Sequence, residues 1–170
     1  MRGHDDSRCV AHQSEPLWHV TLRWQRDIAA ALAPLGLTHV QFVLLATAWW
    51  MNSQGEDPNQ LGLARQAGTD VKMTSQVLRK LEARGLIRRQ VDPADTRART
   101  LHVTERGADL AVQAVTAVEA ADAGFFQAIP DTTTLQAMLR QLAGRNVRRS
   151  ELRSLRRPAG LVPRHMPHFN

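Results

Sequence analysis

The chain has 170 residues, 43% of them hydrophobic and 22% charged. That is about one domain's worth of sequence, with enough apolar material for a core, so wholesale disorder is excluded. The formal charge of +6 lies entirely in the tail: residues 145–170 carry seven arginines against Glu151 and leave the body neutral.

No apolar run approaches the ~18 residues of a membrane span. The start, MRGHDDSRCV, lacks the apolar stretch of a signal peptide. A single cysteine excludes an internal disulfide and a cysteine-based zinc site. The expectation is a cytoplasmic protein with no membrane partner. Within the neutral body, residues 65–106 hold ten Lys/Arg against five Asp/Glu. A basic centre between acidic flanks points to a polyanionic partner more directly than the total charge does.

Residues 1–14 are polar and without periodicity, and are expected to be mobile. A helix is predicted over 15–35. Trp18, Leu22, Gln25, Ala29 and Leu32 form one stripe, and Trp24, Ile28, Ala31 and Leu35 a second. Two stripes imply burial on more than one side. Thr38-His-Val-Gln41 has the form of a capping box and opens a helix over 40–51. NSQGEDP at 52–58 is loop chemistry. A short helix follows over 59–67 and breaks at Gly68.

Thr69 or Asp70 caps the next helix, which runs to Arg84, with Gly85 at a left-handed cap position. Strands are predicted over 86–91 and 99–103, with a turn over 92–98 between them. A long helix runs from 105 to about 126. Asp131 caps a last helix ending at Leu142, before Gly144.

The helix over 70–84 is the most informative segment. Val71, Thr74, Val77, Leu78 and Leu81 fall on one buried register. Lys72, Ser75, Gln76 and Arg79 fall on another, rich in donors and free of acids, with side chains that fit groove edges and phosphates. Taken alone, that face also fits an ordinary solvated surface. Its context argues otherwise. Two helices joined by a glycine turn and followed by a two-stranded ribbon make a winged helix-turn-helix. The ribbon tip carries Arg97 and Arg99, suited to a minor groove. The fold class is therefore mainly α, with a β-wing.

In this region the sequence resembles the MarR regulators. The resemblance covers roughly residues 15–144, and its specific part is LGLARQAGTDVKMTSQVLRKLEARGLIRR followed by DPADTRARTLHVTERG. Leu-Glu-x-x-Gly-Leu-Ile at 81–87 matches the helix-to-wing junction, Asp92-Pro-x-Asp-x-Arg97 the wing, and Leu101-x-Val-Thr-Glu-x-Gly107 its exit. The resemblance implies a dimeric repressor whose recognition helices enter successive major grooves. It assigns groove contact to Lys72, Ser75, Gln76 and Arg79, places Arg97 at the wing tip, and gives Asp95 a wing-positioning role.

The full candidate DNA-contacting set is Lys72, Thr74, Ser75, Gln76, Arg79, Arg97, Arg99 and Arg65, although Thr74 also falls on the buried register. Arg65, Lys80, Arg84, Arg88 and Arg99 are expected to meet phosphates. The implied division is a helical dimerisation region (15–37 and 105–144), a DNA-binding lobe (38–104), a mobile segment (1–14) and an Arg-rich tail (145–170). Leu110, Val112, Ala114, Val115, Val118, Ala121 and Phe125 spread around their helix, which also suits pairing across a two-fold axis. The partners expected are double-stranded DNA carrying a pseudo-palindromic operator, a second copy of the chain, and a small molecule.

Proteins of this kind often release DNA when a small molecule binds between the dimer helices and the lobe. Four Trp, four Phe and no Tyr supply aromatic walls. Trp18, His19, Arg23, His39 and Trp49 are the candidate effector pocket, suited to a planar phenolic or aromatic anion. The same residues also read as dimer core, with His39 a helix-start residue.

One branch of the family senses oxidants through a cysteine. Here Ser14 occupies the matching position, and Cys9 reads as an ordinary exposed thiol. No phosphate-binding Gly-Lys loop, dinucleotide fingerprint or metal-spaced His cluster is present, so no cofactor, metal or catalytic activity is implied. The tail reads either as a mobile basic arm or as a helix extending the dimer face. The alternatives to a repressor are a protein-interaction module and a ligand-dependent activator.

Overall fold

A computed structural model describes residues 7–91 and 99–143, with side chains from residue 15 onward. The order is α1 (Ser7–Leu32), a 3-10 turn (Ala33–Leu35), α2 (His39–Ser53), α3 (Gln60–Ala67), α4 (Val71–Ala83), β1 (Ile87–Val91), β2 (Arg99–Val103), α5 (Glu105–Phe126) and α6 (Thr132–Leu142). The wing tip and the tail lie outside the described residues, and with them Asp95, Arg97 and the two readings of 145–170.

Local chemistry accounts for most boundaries. The Thr38 hydroxyl accepts from the Gln41 amide at 3.3 Å, and the Gln41 side chain accepts from the Thr38 amide at 3.0 Å. These reciprocal bonds satisfy two orphan donors and start α2. Asn59 caps α3 by accepting from the Gly62 amide at 2.8 Å. Asp70, not Thr69, caps α4, accepting from the Met73 amide at 2.9 Å. Gly85 takes φ +68° just past α4, where a side chain would be strained. Asp131 caps α6.

The first helix differs from its predicted bounds at the N-terminus. The chain is already helical from Ser7, ahead of the predicted start at 15. Residues 7–14 carry no apolar stripe in the sequence, so periodicity did not register this part of the helix.

Helix α2 is the centre of the core. Phe42, Leu44, Leu45, Ala46, Thr47, Ala48 and Met51 are all buried, because α3, α4, α5 and β2 pack around it. Ile28 and Leu32 of α1, Leu63 of α3, Leu78 and Leu81 of α4, and Ala111, Ala114, Val115 and Val118 of α5 join that core, with Leu37, Leu86, Ile87 and Leu101.

The strands pair antiparallel, from Ile87 opposite Val103 to Val91 opposite Arg99. The wing hands over to α5 through Thr104. Its hydroxyl donates to the Gly85 carbonyl at 2.8 Å and accepts from the Gly107 amide at 3.0 Å. Gly107 is required here by close approach: a Cβ would overlap the Leu86 carbonyl oxygen and the Val103 side chain. Among the described residues no single helix is long and apolar enough to cross a membrane.

Candidate nucleic-acid interface

Helix α4 separates its faces sharply. Thr74, Leu78 and Leu81 are fully buried. Lys72, Gln76 and Arg79 are exposed and Ser75 is half-buried beside them. The helix's single acid, Glu82, turns toward Arg89 of β1, with 3.5 Å between carboxylate and guanidinium. The exposed face therefore carries donors and cations without an anion among them.

Thr74 must be removed from the DNA-contacting set. It is 0% exposed. Its hydroxyl lies 2.8 Å from the Asp70 carbonyl and 2.8 Å from the Thr69 hydroxyl. It fastens the turn into α4 instead of facing outward. Val71 departs in the other direction. Its register predicted burial, yet it is 42% exposed.

The outer cations divide. Arg65, on the last turn of α3, and Lys80, Arg88 and Arg99 are exposed. Arg84 is different. Its Nη1 donates to the Gly36 carbonyl at 2.8 Å, bracing the end of α4 against the α1–α2 turn. It is half-buried, and that brace is a role the sequence did not suggest.

The wing is tied at its base by contacts that sequence reasoning missed. The Asn52 amide group donates to the Leu101 carbonyl at 3.1 Å, and its oxygen accepts from the Val103 amide at 2.8 Å. His102 Nδ1 lies 3.3 Å from an Asp57 carboxylate oxygen, and its Nε2 lies 3.1 Å from the Thr100 hydroxyl. The segment read only as loop chemistry thus anchors β2. The residues were visible in the sequence, but nothing local pairs Asn52 with a strand far along the chain.

Comparison with known proteins agrees with this geometry. A family model described as ArnR1-like, winged-helix domain matches residues 35–120. The Bacillus subtilis protein YdcH, an HTH-type transcriptional regulator, is 43% identical over 112 residues, covering 66% of this chain and 76% of its own. The chain belongs to the MarR family of winged-helix transcriptional regulators.

Three solved structures, of two regulators, are similar over the body of the chain. CouR from Rhodococcus jostii, bound to p-coumaroyl-CoA, aligns with a TM-score of 0.65 at 32% identity, covering 75% of this chain and 88% of its own. CouR has also been solved on a 23-mer DNA duplex, at 26% identity and a TM-score of 0.63, covering 76% of this chain and 88% of its own. The Mycobacterium tuberculosis protein Rv2887, in complex with p-aminosalicylic acid, aligns with a TM-score of 0.57 at 32% identity, covering 76% of this chain and 97% of its own.

The five residues expected to form an effector pocket in this MarR-type regulator have different surroundings within a single chain. Trp18 is 61% exposed on α1. His19 is exposed too, 3.9 Å from Glu15. Arg23 lies over the Phe125 ring at 5.6 Å, joining α1 to α5. Trp49 is half-buried against the core.

His39 sits elsewhere, with the Trp24 ring edge-on at 5.1 Å and the Phe42 ring at 6.5 Å. Trp24 Nε1 donates to Asp122 at 2.7 Å. Burial pushes the His39 imidazole below its ordinary pKa, and the Asp122 charge pulls it partly back. Trp24 and Asp122 were outside the expected pocket. They lie 98 residues apart, and no local spacing connects them.

Proposed function

We propose that this MarR-type regulator works as a homodimeric repressor that binds a pseudo-palindromic operator. Helix α4 of each protomer would lie in a major groove and the wing would reach the adjacent minor groove. The observation that carries the reading is the exposed Lys72, Gln76 and Arg79 face, acid-free and opposite a fully buried one. Lys72, Ser75, Gln76 and Arg79 would read base edges. Arg65, Lys80, Arg88 and Arg99 would meet phosphates, and Arg97 the minor groove, with Asp95 positioning the wing.

Dimerisation is argued from unfinished surface. Leu17, Trp18 and Val20 of α1 and Met138, Leu139 and Leu142 of α6 are exposed, and α6 buries no residue within its own chain. Apolar surface of this kind on terminal helices suits a two-fold partner. A planar aromatic acid is the effector class proposed, supported by the aryl ligands in the CouR and Rv2887 structures. In the dimer, Arg23 and Trp24 of α1 and His39 at the start of α2 would face it.

Fluorescence anisotropy tests this, using DNA from upstream of the gene, a random duplex of equal length and a salt series. The reading requires affinity for the upstream duplex about 10³-fold or more above random, with a steep salt slope. Equal, weak binding to both, lost when residues 145–170 are deleted, would leave only a basic tail at work and favour a protein-interaction module.

A further inference from the structure

We propose that Val71 determines specificity: its side chain selects a thymine by covering the 5-methyl group in the major groove. The inference rests on the DNA-reading function proposed above and adds to it a base and a contact type.

Val71 is the first residue of α4, the turn that in helix-turn-helix proteins contacts base edges. It is 42% exposed, although the sequence register places it with Thr74 and Leu78. It is also held in place. Asp70 caps the turn beneath it, and the Val71 carbonyl accepts from Gln60 Nε2 at 3.4 Å, tying it to α3. A valine in a helix keeps essentially one χ1 rotamer, so its methyl groups stand in a fixed direction.

The chemistry of the groove then narrows the target. Lys72, Ser75 and Gln76 around it are donors or acceptors, and the base edges and phosphates they suit are polar. Val71 can serve none of those. The apolar group that a major groove offers is the C5 methyl of thymine. Leaving Val71 in water costs the hydration of its methyls, and covering a thymine methyl removes both apolar surfaces from water together. Met73, the other exposed apolar residue of this turn, is unbranched and flexible, and fixes no comparable contact.

The full-length protein and a duplex selected from a random-sequence pool provide the test. Each thymine is replaced in turn by deoxyuracil, which removes only the methyl group. We expect a thymine in the half-site where uracil weakens wild-type binding about 4-fold, the value of one buried methyl-sized group. Val71→Ala is expected to bind the unmodified duplex about 4-fold more weakly and to lose nothing further at that uracil. Its thermal midpoint should match wild type, since the side chain is exposed.

Full uracil sensitivity in Val71→Ala at every position would overturn the inference while leaving the DNA reading intact. So would an operator with no uracil-sensitive thymine. Failure of the wild-type protein to select any duplex would overturn the DNA reading itself, and this inference with it.

Discussion

Helices α4 and α6 are of similar length, and both are amphipathic. Yet α4 buries Thr74, Leu78 and Leu81 inside its own chain, and α6 buries nothing. At its end Leu142 is 79% exposed. The difference separates two kinds of surface. Around α2 the winged-helix part has a closed core, and what it leaves outside is mostly charged or hydrogen-bonding, with Leu61, Val71, Met73 and Val91 as apolar exceptions. The terminal helices are incomplete, and what they leave outside is apolar. A finished core with a polar outer helix suits a charged partner. An unfinished helix suits a second apolar helix.

That contrast breaks first at the core. Leu78→Ala should cost about 2–5 kcal/mol in chemical denaturation, because the site is fully enclosed by α2 and its neighbours. Leu139→Asp on α6 should leave the circular dichroism of the chain unchanged. It should yield monomers in sedimentation and weaken specific DNA binding by about 10²-fold, since the second half-site is then no longer tethered.

Arg79→Ala should cost about 1–3 kcal/mol on the selected operator and much less on random DNA. An equal loss on both would make Arg79 a phosphate contact only. Asp70→Ala removes a cap from a helix packed into the core and should cost about 1 kcal/mol in thermal denaturation. Asp131→Ala removes the same kind of cap from α6 and should move the midpoint less.

The smallest effect concerns pH. His39 holds its proton less tightly in the folded chain than in the unfolded one. As pH falls through about 6.5, the unfolded chain takes up the proton first, so stability falls with it. The loss stops growing once the folded imidazole is also protonated. The thermal midpoint should therefore drop between about pH 7.5 and about pH 5.5 by more in wild type than in His39→Gln.

Features fixed by near neighbours were legible in the sequence. The Thr38–Gln41 capping box, the Gly85 turn and the bounds of β2 each depend on a few adjacent residues. The donor face of α4 was legible for the same reason. What was not legible depends on distant chain. The brace made by Arg84 is not visible until Gly36, 48 positions away, is placed beside it. Asn52 reads as loop until it meets β2. Val71 shows the limit of periodicity: the helical register is right, but a register does not say how far the neighbouring helices reach. The Trp24–Asp122 contact beside His39 was not legible either, because nothing in the sequence says which side of α1 meets α5.

The central claim is that two identical lobes are held by the terminal helices to read two half-sites at once. It is tested most directly by inserting about five base pairs, half a helical turn, between the half-sites of the selected operator. The account predicts that affinity falls by about 10²-fold or more, toward that for random DNA. Unchanged affinity would mean that a single lobe reads the site alone, and would contradict it.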